Sequence, residues 1–483
     1  MAVENKKAMI FLLVILAIAA FFRLWQLDSI PPGLYPDVAI NGNDALDSLK
    51  TGQFKVFYPE NNGREGLFIW LIALSFSIFG PSIWTIKIVP AIIGILTVFG
   101  LYLLTKELFS RKIGLLASFF LAISFWHVNF SRIGFRAIMV PFILVFAFYF
   151  LFKGFRIEKR FNPRGCRGLT SGVKPFIISG IFFGLGFYTY ISYRFVIFLL
   201  GPILILRKKY FRFTIYCLLF TVLVALPIGI YFLLNPGDFF GRANNVSILA
   251  AENPLYELGK SLILHLGMFN VYGDGNWRHN LSGSPELLWP VGIFFLIGFI
   301  YSIVKKYWFL ISWFFIFLLP GILSYEGIPH SLRVIGTMPA VFIFAGLGAC
   351  LVFEQLKKFS KTKKQVFAFY LCIFIFLATL VYAEFDKYFE QWAKKPEVAD
   401  VFSKNYVELG NYLNSLPDNV LKYVIVNQPG VPVPFPNGIP MPAQTPMFIE
   451  RVKYGKIRTT YLLPEDLDKI KIEEEAVVIP IQK

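Results

Sequence analysis

Acidic residues stand at two places in the sequence where they could carry out proton chemistry. Asp37 lies in PPGLYPDVAINGNDALDSLKTG and follows a proline where a helix can begin, and Glu65 follows Arg64 just before the apolar run LFIWLIALSFSIFG. A carboxylate held in a cavity can act as a general base on a hydroxyl group. The alternatives are an N-cap for Asp37 and a capping pair for Arg64 and Glu65. The neighbouring Asp44 and Asp47 are predicted to be solvated or capping.

Arginines occur in four short strings between apolar blocks: SRIGFR, YTYISYRF, GDGNWRHN and IPHSLR. They are Arg132, Arg136, Arg194, Arg278 and Arg333. Arg132 and Arg136 are four residues apart and share a helical face, so their mutual repulsion favours a bound anion. The guanidinium fork suits phosphate oxygens. The alternatives are arginines that reach lipid headgroups and, around Tyr190 and Arg194, an aromatic belt at the membrane surface.

The string MFNVYGDGNWRHNLSGSP is dense in polar groups. It contains Asp274, Asn276, Arg278 and His279 within six residues, and His330 stands three residues before Arg333 in a later string. Arginines at the depth of the lipid headgroups, next to histidine and amide groups, indicate a phosphate that is attached to something apolar. A carboxylate beside such a phosphate indicates a base that acts on a hydroxyl. We therefore predict a lipid-phosphate substrate.

Composition limits the classes of protein to consider. Of 483 residues, 56% are hydrophobic and only 16% are charged, with a mean hydropathy of +0.61. Soluble domains average roughly 45–50% apolar and about 25% charged residues. These values exclude an ordinary soluble enzyme, a disordered chain and a fibrous repeat. The net charge of +17 is not evidence of nucleic-acid binding, because the basic residues form short clusters between apolar blocks.

The apolar residues form blocks of the length that a bilayer requires. We predict about eleven spans, at 9–22, 83–105, 113–130, 137–152, 175–191, 194–206, 213–234, 287–304, 307–323, 334–353 and 366–383. The first is predicted to be a retained signal anchor, since no small-residue cleavage site follows it. The run 67–80 is too short to span and is predicted to lie in the outer interface.

The distribution of basic residues predicts the orientation. If 67–80 does not span and the N-terminus is cytoplasmic, the excess positive charge falls in the cytoplasmic loops, as the positive-inside rule requires. The candidate site residues then all lie outside. We predict a multi-pass protein of the plasma membrane with an extracytoplasmic active site.

The C-terminal residues are predicted to form a second domain. Residues 1–384 form the membrane module, and 385–483 are predicted to form a small extracytoplasmic α/β domain with a helix near 399–415 and strands near 422–427 and 476–481. The external segments contain no cysteine, so neither a disulfide framework nor a cysteine metal site is implied.

The ordered strings resemble a known family. PPGLYPD, NGREGLF, SRIGFR, YTY with its following arginine, NPGDFFGR, GDGNWRHN and IPHSLR occur in the order and at the spacing of the polytopic GT-C fold glycosyltransferases, over nearly all of 20–350. The group that they resemble most is family 39, which includes protein O-mannosyltransferases and the aminoarabinose transferases of lipid A.

The resemblance implies inverting transfer of a sugar from a polyprenyl-phosphate donor to a protein, lipid or glycan acceptor on the outer face. It implies that Asp37, or else Glu65, is the catalytic base. Arg132, Arg136 and Arg333 would hold the donor phosphate. Substrate-binding candidates are Arg64, Tyr190, Arg194, Arg242, Asp274, Asn276, Arg278, His279 and His330.

Two departures from the family pattern bear on metal binding. Relatives often have Asp-Glu where this chain has Asp37-Val38, and many have an acidic residue where it has Ser131-Arg132. A hard divalent cation prefers several carboxylate oxygens. We therefore predict no tightly bound metal and no other cofactor, although Glu65 could replace one acid and a divalent metal stays open.

Three other functions compete with the transferase. A flippase or transporter of lipid-linked saccharides would place charges at mid-span depth, whereas Lys87, the chief charge within a block, lies near its end. A non-catalytic binder of polyprenyl phosphate would retain donor binding without turnover. An enzyme similar to the O-antigen ligases would not predict the ordered strings.

Overall fold

The structure is a computed structural model that describes residues 2–161, 170–206, 210–433, 438–471 and 476–481. The described chain is mostly helical and divides into two compact units. Unit 1 consists of Met1–Trp25, Pro90–Ile230 and Ala243–Trp392. Unit 2 consists of Gln26–Val89, Tyr231–Arg242 and Ala393–Lys483.

The α-helices follow the apolar blocks of the sequence and continue into the tail. They are α1 (Ala2–Leu24), α2 (Pro36–Thr51), α3 (Leu67–Phe79), α4 (Ile83–Leu108), α5 (Arg111–Ile123), α6 (Phe125–Phe130), α7 (Met139–Phe161), α8 (Thr170–Gly186), α9 (Val196–Leu206), α10 (Phe211–Leu234), α11 (Pro236–Val246), α12 (Pro254–Gly267), α13 (Trp289–Val304), α14 (Trp308–Ile322), α15 (Met338–Lys357), α16 (Lys363–Phe385), α17 (Pro396–Val401), α18 (Lys404–Ser415) and α19 (Gln444–Tyr454). The strands are β1 (Phe57–Tyr58), β2 (Arg64–Glu65), β3 (Leu421–Val426), β4 (Thr460–Leu462) and β5 (Ala476–Ile481).

Each predicted span coincides with helical structure, and the block 113–130 is divided between α5 and α6. Six helical segments of the described chain are long and apolar enough to cross a membrane: Lys6–Leu24, Ile83–Leu108, Arg136–Lys159, Phe211–Leu234, Ile335–Lys357 and Lys363–Trp392. Shorter apolar helices include α3, α13 and α14. The prediction of a multi-pass helical protein is confirmed, whereas the side that faces the cytoplasm and the interfacial position of α3 stay predictions.

Helices α13 and α15 pack at very short distance in unit 1. A Cβ atom added to Gly298 would lie 1.9 Å from the carbonyl oxygen of Phe344, and one added to Gly348 would lie 1.9 Å from that of Phe294. Glycine at both positions therefore lets the two backbones touch, as small residues do between membrane helices. This contact fixes α15, whose N-terminal end follows the turn that contains His330 and Arg333.

Unit 2 contains a three-stranded parallel sheet in the order β4-β3-β5. Parallel neighbours need crossover connections, and α19 lies in the connection between β3 and β4. A buried apolar cluster that includes Leu413, Val424 and Met447 joins the helices to the sheet. The predicted α/β character of the tail and its strands at 422–427 and 476–481 are confirmed.

Two details of the tail differ from the prediction. The helix near 399–415 is two helices, α17 and α18, which are separated at Ser403 in the left-handed region (φ +54°). Helix α19 was not predicted, because it begins in the proline-rich segment. Pro446 lies in its first turn, where a missing amide hydrogen breaks no helical hydrogen bond.

Helices α2 and α19 pack together within unit 2. Asn43 Nδ2 donates to the carbonyl oxygen of Gln444 (3.1 Å) and to its side-chain Oε1 (2.9 Å). Thr445 Oγ1 donates to the carbonyl oxygen of Leu34 (2.9 Å), and Arg451 pairs with Asp47. Residues that follow the first apolar block are thus tied to the tail. The division of the chain at 384/385 stays a prediction.

Candidate functional site

Two segments of unit 1 that contain predicted site residues meet at one carboxylate. Asp274, with a side chain only 2% exposed, accepts hydrogen bonds at Oδ2 from His279 Nδ1 (2.9 Å), the Ser331 amide (2.8 Å) and Ser331 Oγ (3.0 Å). His330 Nδ1 lies 3.9 Å from the same oxygen. The rings of His279 and His330 are 4.9 Å apart. We name these residues the Asp274 cluster: Asp274, His279, His330 and Ser331.

A third histidine holds the loop of His330. On α12, His265 Nδ1 lies 2.8 Å from the carbonyl oxygen of Ser261, which can only accept, so Nδ1 carries the proton. His265 Nε2 is then free to accept from the His330 amide at 3.1 Å. This pair of bonds requires a neutral ring. Burial, which disfavours the charged ring, lowers the pKa of His265 to about 4.

The loop 274–280 is also fixed to the turn after α6. Asn129, on α6 and fully buried, donates from Nδ2 to the carbonyl oxygens of Arg278 (2.8 Å) and His279 (3.0 Å). The ring of His279 lies 5.6 Å from that of Phe130. At the start of the loop, Asp274 Oδ1 accepts from the Asn276 amide (2.8 Å). The strings SRIGFR, GDGNWRHN and IPHSLR, distant in sequence, are therefore adjacent in unit 1.

The charges in this cluster depend on one another. Burial opposes ionisation of Asp274, but the charge and the hydrogen bond of His279 outweigh it and hold the pKa of Asp274 well below its usual range. Burial, and then the charge of Asp274, raise the pKa of Glu286, whose Oε1 accepts from the Asp274 amide at 3.1 Å. Burial, and then His279, lower the pKa of His330. The arrangement favours an ionised Asp274 beside a protonated Glu286 and a neutral His330.

This geometry orients the His279 ring. Because Nδ1 donates to Asp274, Nε2 is the nitrogen available to a ligand. As a neutral ring it can accept a proton or bind a metal, and as an imidazolium it can donate to an anion. The arrangement can therefore serve proton transfer, anion binding or metal binding.

A metal is compatible with part of this cluster. Asp274, His279 and His330 each offer a ligand atom, and these atoms lie within 4.8 Å of one another. Two imidazoles and one carboxylate suit Zn²⁺ better than Mg²⁺, which prefers oxygen ligands. However, Asp274 Oδ2 already accepts three hydrogen bonds, two of them from Ser331, and a metal would have to displace some of them. The absence of a tightly bound metal stays a prediction.

The arginines of unit 1 differ in burial. Arg132 is fully buried, and its guanidinium donates to the carbonyl oxygens of Phe22 and Trp25, both at 2.9 Å. It also lies over the rings of Tyr388 (5.6 Å) and Phe389 (5.2 Å). These contacts join the end of α1 to the turn after α6. Phosphate binding by Arg132 stays a prediction, and the structure gives this side chain a position inside the unit.

The other predicted arginines of unit 1 are half-buried. Arg136 lies 5.4 Å from the ring centroid of Tyr190, so these two predicted residues are together. Arg278 contacts Asn276, with Nε 3.4 Å from Oδ1. Arg333 donates from Nη1 to the carbonyl oxygen of Glu326 (2.8 Å). Arg194 is also half-buried and belongs to the 3₁₀ helix Ile191–Phe195. The side chain of Arg242 lies outside the described part of the structure, although its backbone belongs to α11.

Unit 2 contains the predicted carboxylates. Asp37 lies in the first turn of α2 and is half-buried; the N-cap position belongs to Tyr35. The predicted helix start is confirmed, and the N-cap interpretation of Asp37 is wrong because the helix begins one residue earlier, at the proline. Glu65 is 3% exposed, in the two-stranded ladder of β1 and β2.

Arg64 is the centre of a second buried charge cluster. Its side chain is 1% exposed, and Nη1 lies 2.6 Å from Asp44 Oδ2 and 2.9 Å from Asn41 Oδ1. Nη2 lies 3.7 Å from Glu60 Oε2. We name Arg64, Asp44, Glu60 and Asn41 the Arg64 cluster. The prediction that Asp44 is solvated or capping is wrong, because this aspartate forms a largely buried ion pair with Arg64; Asp47 pairs with Arg451.

Several residues of the Asp274 cluster and its supports were not predicted. Ser331 stands inside IPHSLR, next to His330, and Asn129 stands two residues before the string SRIGFR, so their position was the available signal. No short-range signal identifies His265 or Glu286, since their contacts are made through folding.

Comparison with known proteins agrees with this architecture. Residues 67–231 match the family described as dolichyl-phosphate-mannose-protein mannosyltransferase. The oligosaccharyltransferase AglB of Archaeoglobus fulgidus, solved with an inhibitory peptide and a dolichol-phosphate, superposes with a TM-score of 0.57 at 13% identity over 88% of this chain. This chain spans 62% of the length of that archaeal enzyme.

A second solved structure is similar over a larger share of both chains. ArnT of Cupriavidus metallidurans, solved with undecaprenyl phosphate, superposes with a TM-score of 0.54 at 11% identity over 98% of this chain and 93% of its own. No curated protein sequence matches significantly. The predicted GT-C fold and the resemblance to the family of mannosyltransferases are confirmed.

Proposed function

We propose that this protein transfers a sugar from a polyprenyl-phosphate donor to an acceptor hydroxyl on the outer face of the plasma membrane. The observation that carries the proposal is the meeting, in unit 1, of three arginine-bearing segments around an oriented imidazole. Two solved structures with this fold hold a dolichol-phosphate and undecaprenyl phosphate. The family match over 67–231 supports a transferase.

The proposed reaction is an inverting displacement. The acceptor oxygen attacks the anomeric carbon, the bond from that carbon to the phosphate oxygen breaks, and polyprenyl phosphate leaves. Asp37, half-buried in the first turn of α2, takes the acceptor proton in this scheme, with Glu65 as the alternative base. A base that accepts this proton in the transition state typically contributes about 10²–10⁴-fold to the rate.

The leaving phosphate carries the charge that has to be stabilised. Arg136 and Arg333, half-buried, are the proposed phosphate ligands, and Arg132 lies on the same turn as Arg136. An imidazolium at His279 would donate from Nε2 while Nδ1 remains bonded to Asp274. Removing one donor from such an anion site typically costs about 3–4 kcal/mol in the transition state.

The contacts of Lys87 count against a transporter. It is the chief charge within a predicted span, and its Nζ donates to the carbonyl oxygen of Pro31 at 2.8 Å while the side chain is 3% exposed. Its charge is therefore held by the segment that precedes α2. A transport pathway is expected to use charges at mid-span depth, which this contact does not provide.

The test is sugar transfer by purified protein from radiolabelled polyprenyl-phosphate monosaccharides. Asp37→Asn keeps the size of the side chain and removes the base, so we expect transfer and donor hydrolysis to be lost while donor binding remains. Asp418→Asn is the matched control, since this aspartate is 90% exposed in the tail. Full activity of Asp37→Asn would move the base to Glu65. No turnover of any donor by the wild type, with binding retained, would refute the enzyme and favour a binder or transporter.

A further inference from the structure

Unit 2 contains a cavity of about 270 Å³ that the proposed chemistry does not use. One wall comes from α2 and the β1–β2 hairpin, with Asp44, Ser48, Lys55 and Glu60. The opposite wall comes from the tail, with Met447 and Arg451 of α19. Pockets for drug-sized ligands occupy roughly 300–1,000 Å³, so this cavity suits a ligand of one or two small rings.

The Arg64 cluster leaves hydrogen-bond acceptors for this cavity. Asp44 turns Oδ2 towards Arg64, and this residue also lines the cavity. Glu60 likewise turns Oε2 towards Arg64, while its Oε1 lies 3.9 Å from Lys55 Nζ, beyond hydrogen-bonding distance. Burial raises the pKa of Asp44 and the charge of Arg64 opposes this shift. The buried guanidinium thus stabilises two carboxylates that line the cavity and that can accept a hydrogen bond from a hydroxyl group.

The charge balance of the cavity favours a neutral ligand. The carboxylates of Asp44, Asp47 and Glu60 are matched by Lys55, by Arg451 and by Arg64 behind the wall. A cation would therefore compete with three positive side chains, and an anion would be repelled by three carboxylates. A hydroxyl group both donates and accepts, so a polyol can bond to the carboxylates and to Lys55 together.

The rest of the lining includes aliphatic side chains. Ile40, Val433, Met447 and Ile457 line the cavity, and Ile40 and Val433 belong to one buried cluster. A pyranose ring presents C–H groups on its faces and hydroxyls at its edge, which matches a lining that combines carboxylates with aliphatic side chains. We propose that this cavity binds a saccharide. This binding does not rest on the proposed function.

Saccharide binding can be measured without turnover. The full-length protein is placed in lipid nanodiscs, so that no maltoside detergent competes, and titrated with methyl α-mannoside and methyl β-glucoside by saturation-transfer NMR. Putrescine serves as the cationic probe. Glu60→Gln removes one charged acceptor, and Thr51→Trp fills the rim of the cavity, where Thr51 is exposed. Glu408→Gln and Thr460→Trp are matched controls at exposed positions outside the lining.

We expect at least one methyl glycoside to bind, with about tenfold weaker binding in both cavity variants and wild-type binding in both controls. Absence of glycoside binding, equal binding by all variants, or competition by putrescine would overturn the proposal. Donor hydrolysis without acceptor is measured separately on the wild type. If the wild type binds a glycoside but does not hydrolyse the donor, the proposed function is refuted and the saccharide site remains. If it hydrolyses the donor but binds no glycoside, only the saccharide site is refuted.

Discussion

The Asp274 cluster and the Arg64 cluster are centred on side chains of opposite charge. In the Asp274 cluster of unit 1, a carboxylate is surrounded by donors from His279 and Ser331. In the Arg64 cluster of unit 2, a guanidinium is surrounded by oxygens of Asp44, Glu60 and Asn41.

This difference determines what each cluster leaves for a ligand. The central carboxylate of unit 1 orients an imidazole through Nδ1 and leaves Nε2 without a bond to Asp274, close to segments that contain arginines. The central guanidinium of unit 2 leaves carboxylate oxygens. Unit 1 therefore suits an anion such as phosphate, and unit 2 suits a hydroxyl group. The same principle, that a buried charge needs partners, produces two different binding chemistries.

The largest expected effect tests the centre of unit 2. Arg64→Met leaves the carboxylates of Asp44 and Glu60 without their buried counter-charge. Loss of one partner of a buried ion pair typically destabilises by about 3–5 kcal/mol, which chemical unfolding in detergent micelles would measure. Lys404→Met is the control, because its pair with Glu408 is exposed on both sides. Equal unfolding midpoints of the two variants would contradict a buried role for Arg64.

The corresponding change in unit 1 is Asp274→Asn. An amide cannot hold His279 in the same tautomer and charge state, so we expect sugar transfer to fall by about 100-fold or more. The measurement is kcat/KM with the donor that the wild type turns over. Asp466→Asn, in the tail, should match the wild type. A loss of less than threefold in Asp274→Asn would show that His279 does not need its carboxylate partner.

The pH dependence distinguishes the units further. The pKa of His265 is about 4 in the fold, against an ordinary value of 6.5, so between these values the unfolded chain binds a proton that the folded chain does not. The contribution of His265 to the stability of unit 1 therefore falls as the pH falls through this window, by about 2 kcal/mol between pH 7 and pH 5. Asp274, whose pKa is depressed, adds a further loss only below the usual aspartate range.

The contribution of His265 to this slope can be measured. His265→Gln removes one titrating ring, so its unfolding free energy should fall by about 2 kcal/mol less than that of the wild type between pH 7 and pH 5, while His330, whose pKa burial also lowers, still contributes. The measurement is chemical unfolding of both proteins at the two pH values. An undiminished slope in the variant would show that another group is responsible.

A smaller effect is expected at the rim of unit 2. The pair of Asp47 and Arg451 is exposed on the aspartate side, 52% against 11%. Asp47→Asn should lower the unfolding free energy by less than about 1 kcal/mol, as is typical of surface ion pairs. A loss as large as that of Arg64→Met would show that the contact of α2 with α19 depends on this pair.

Chelation should have the smallest effect. We expect transfer to be unchanged after exhaustive treatment with a chelator, since Asp274 Oδ2 is already bonded to three donors. The check is transfer with and without added Zn²⁺, Mg²⁺ or Mn²⁺. Full loss that one of these ions reverses would assign a metal to Asp274, His279 and His330.

The membrane helices and several elements of the tail could be predicted from local features of the sequence. Hydropathy predicts the membrane helices because a span must be apolar along its whole length. The proline before Asp37 predicts the start of α2, and short runs rich in β-branched residues predict β3 and β5. Helix α19 was not predicted, because a proline such as Pro446 usually indicates a loop, although it is tolerated in the first turn of a helix.

The contacts of the site were less predictable because they join distant parts of the chain. Asp274 and Ser331 are 57 residues apart, and Arg132 donates to Phe22, 110 residues earlier. The strings that contain these residues can be recognised individually. Which side chain turns inward, as Arg64 and Arg132 do, depends on partners that only the fold supplies.

The most direct test of the central claim separates donor binding from catalysis. Donor dissociation constants and transfer rates are measured for Asp37→Asn, in unit 2, and Arg136→Gln, in unit 1. We expect Asp37→Asn to bind the polyprenyl-phosphate donor as the wild type does and to transfer no sugar, and we expect Arg136→Gln to bind the donor at least about tenfold more weakly. Unchanged donor binding by Arg136→Gln, together with full transfer by Asp37→Asn, would contradict it.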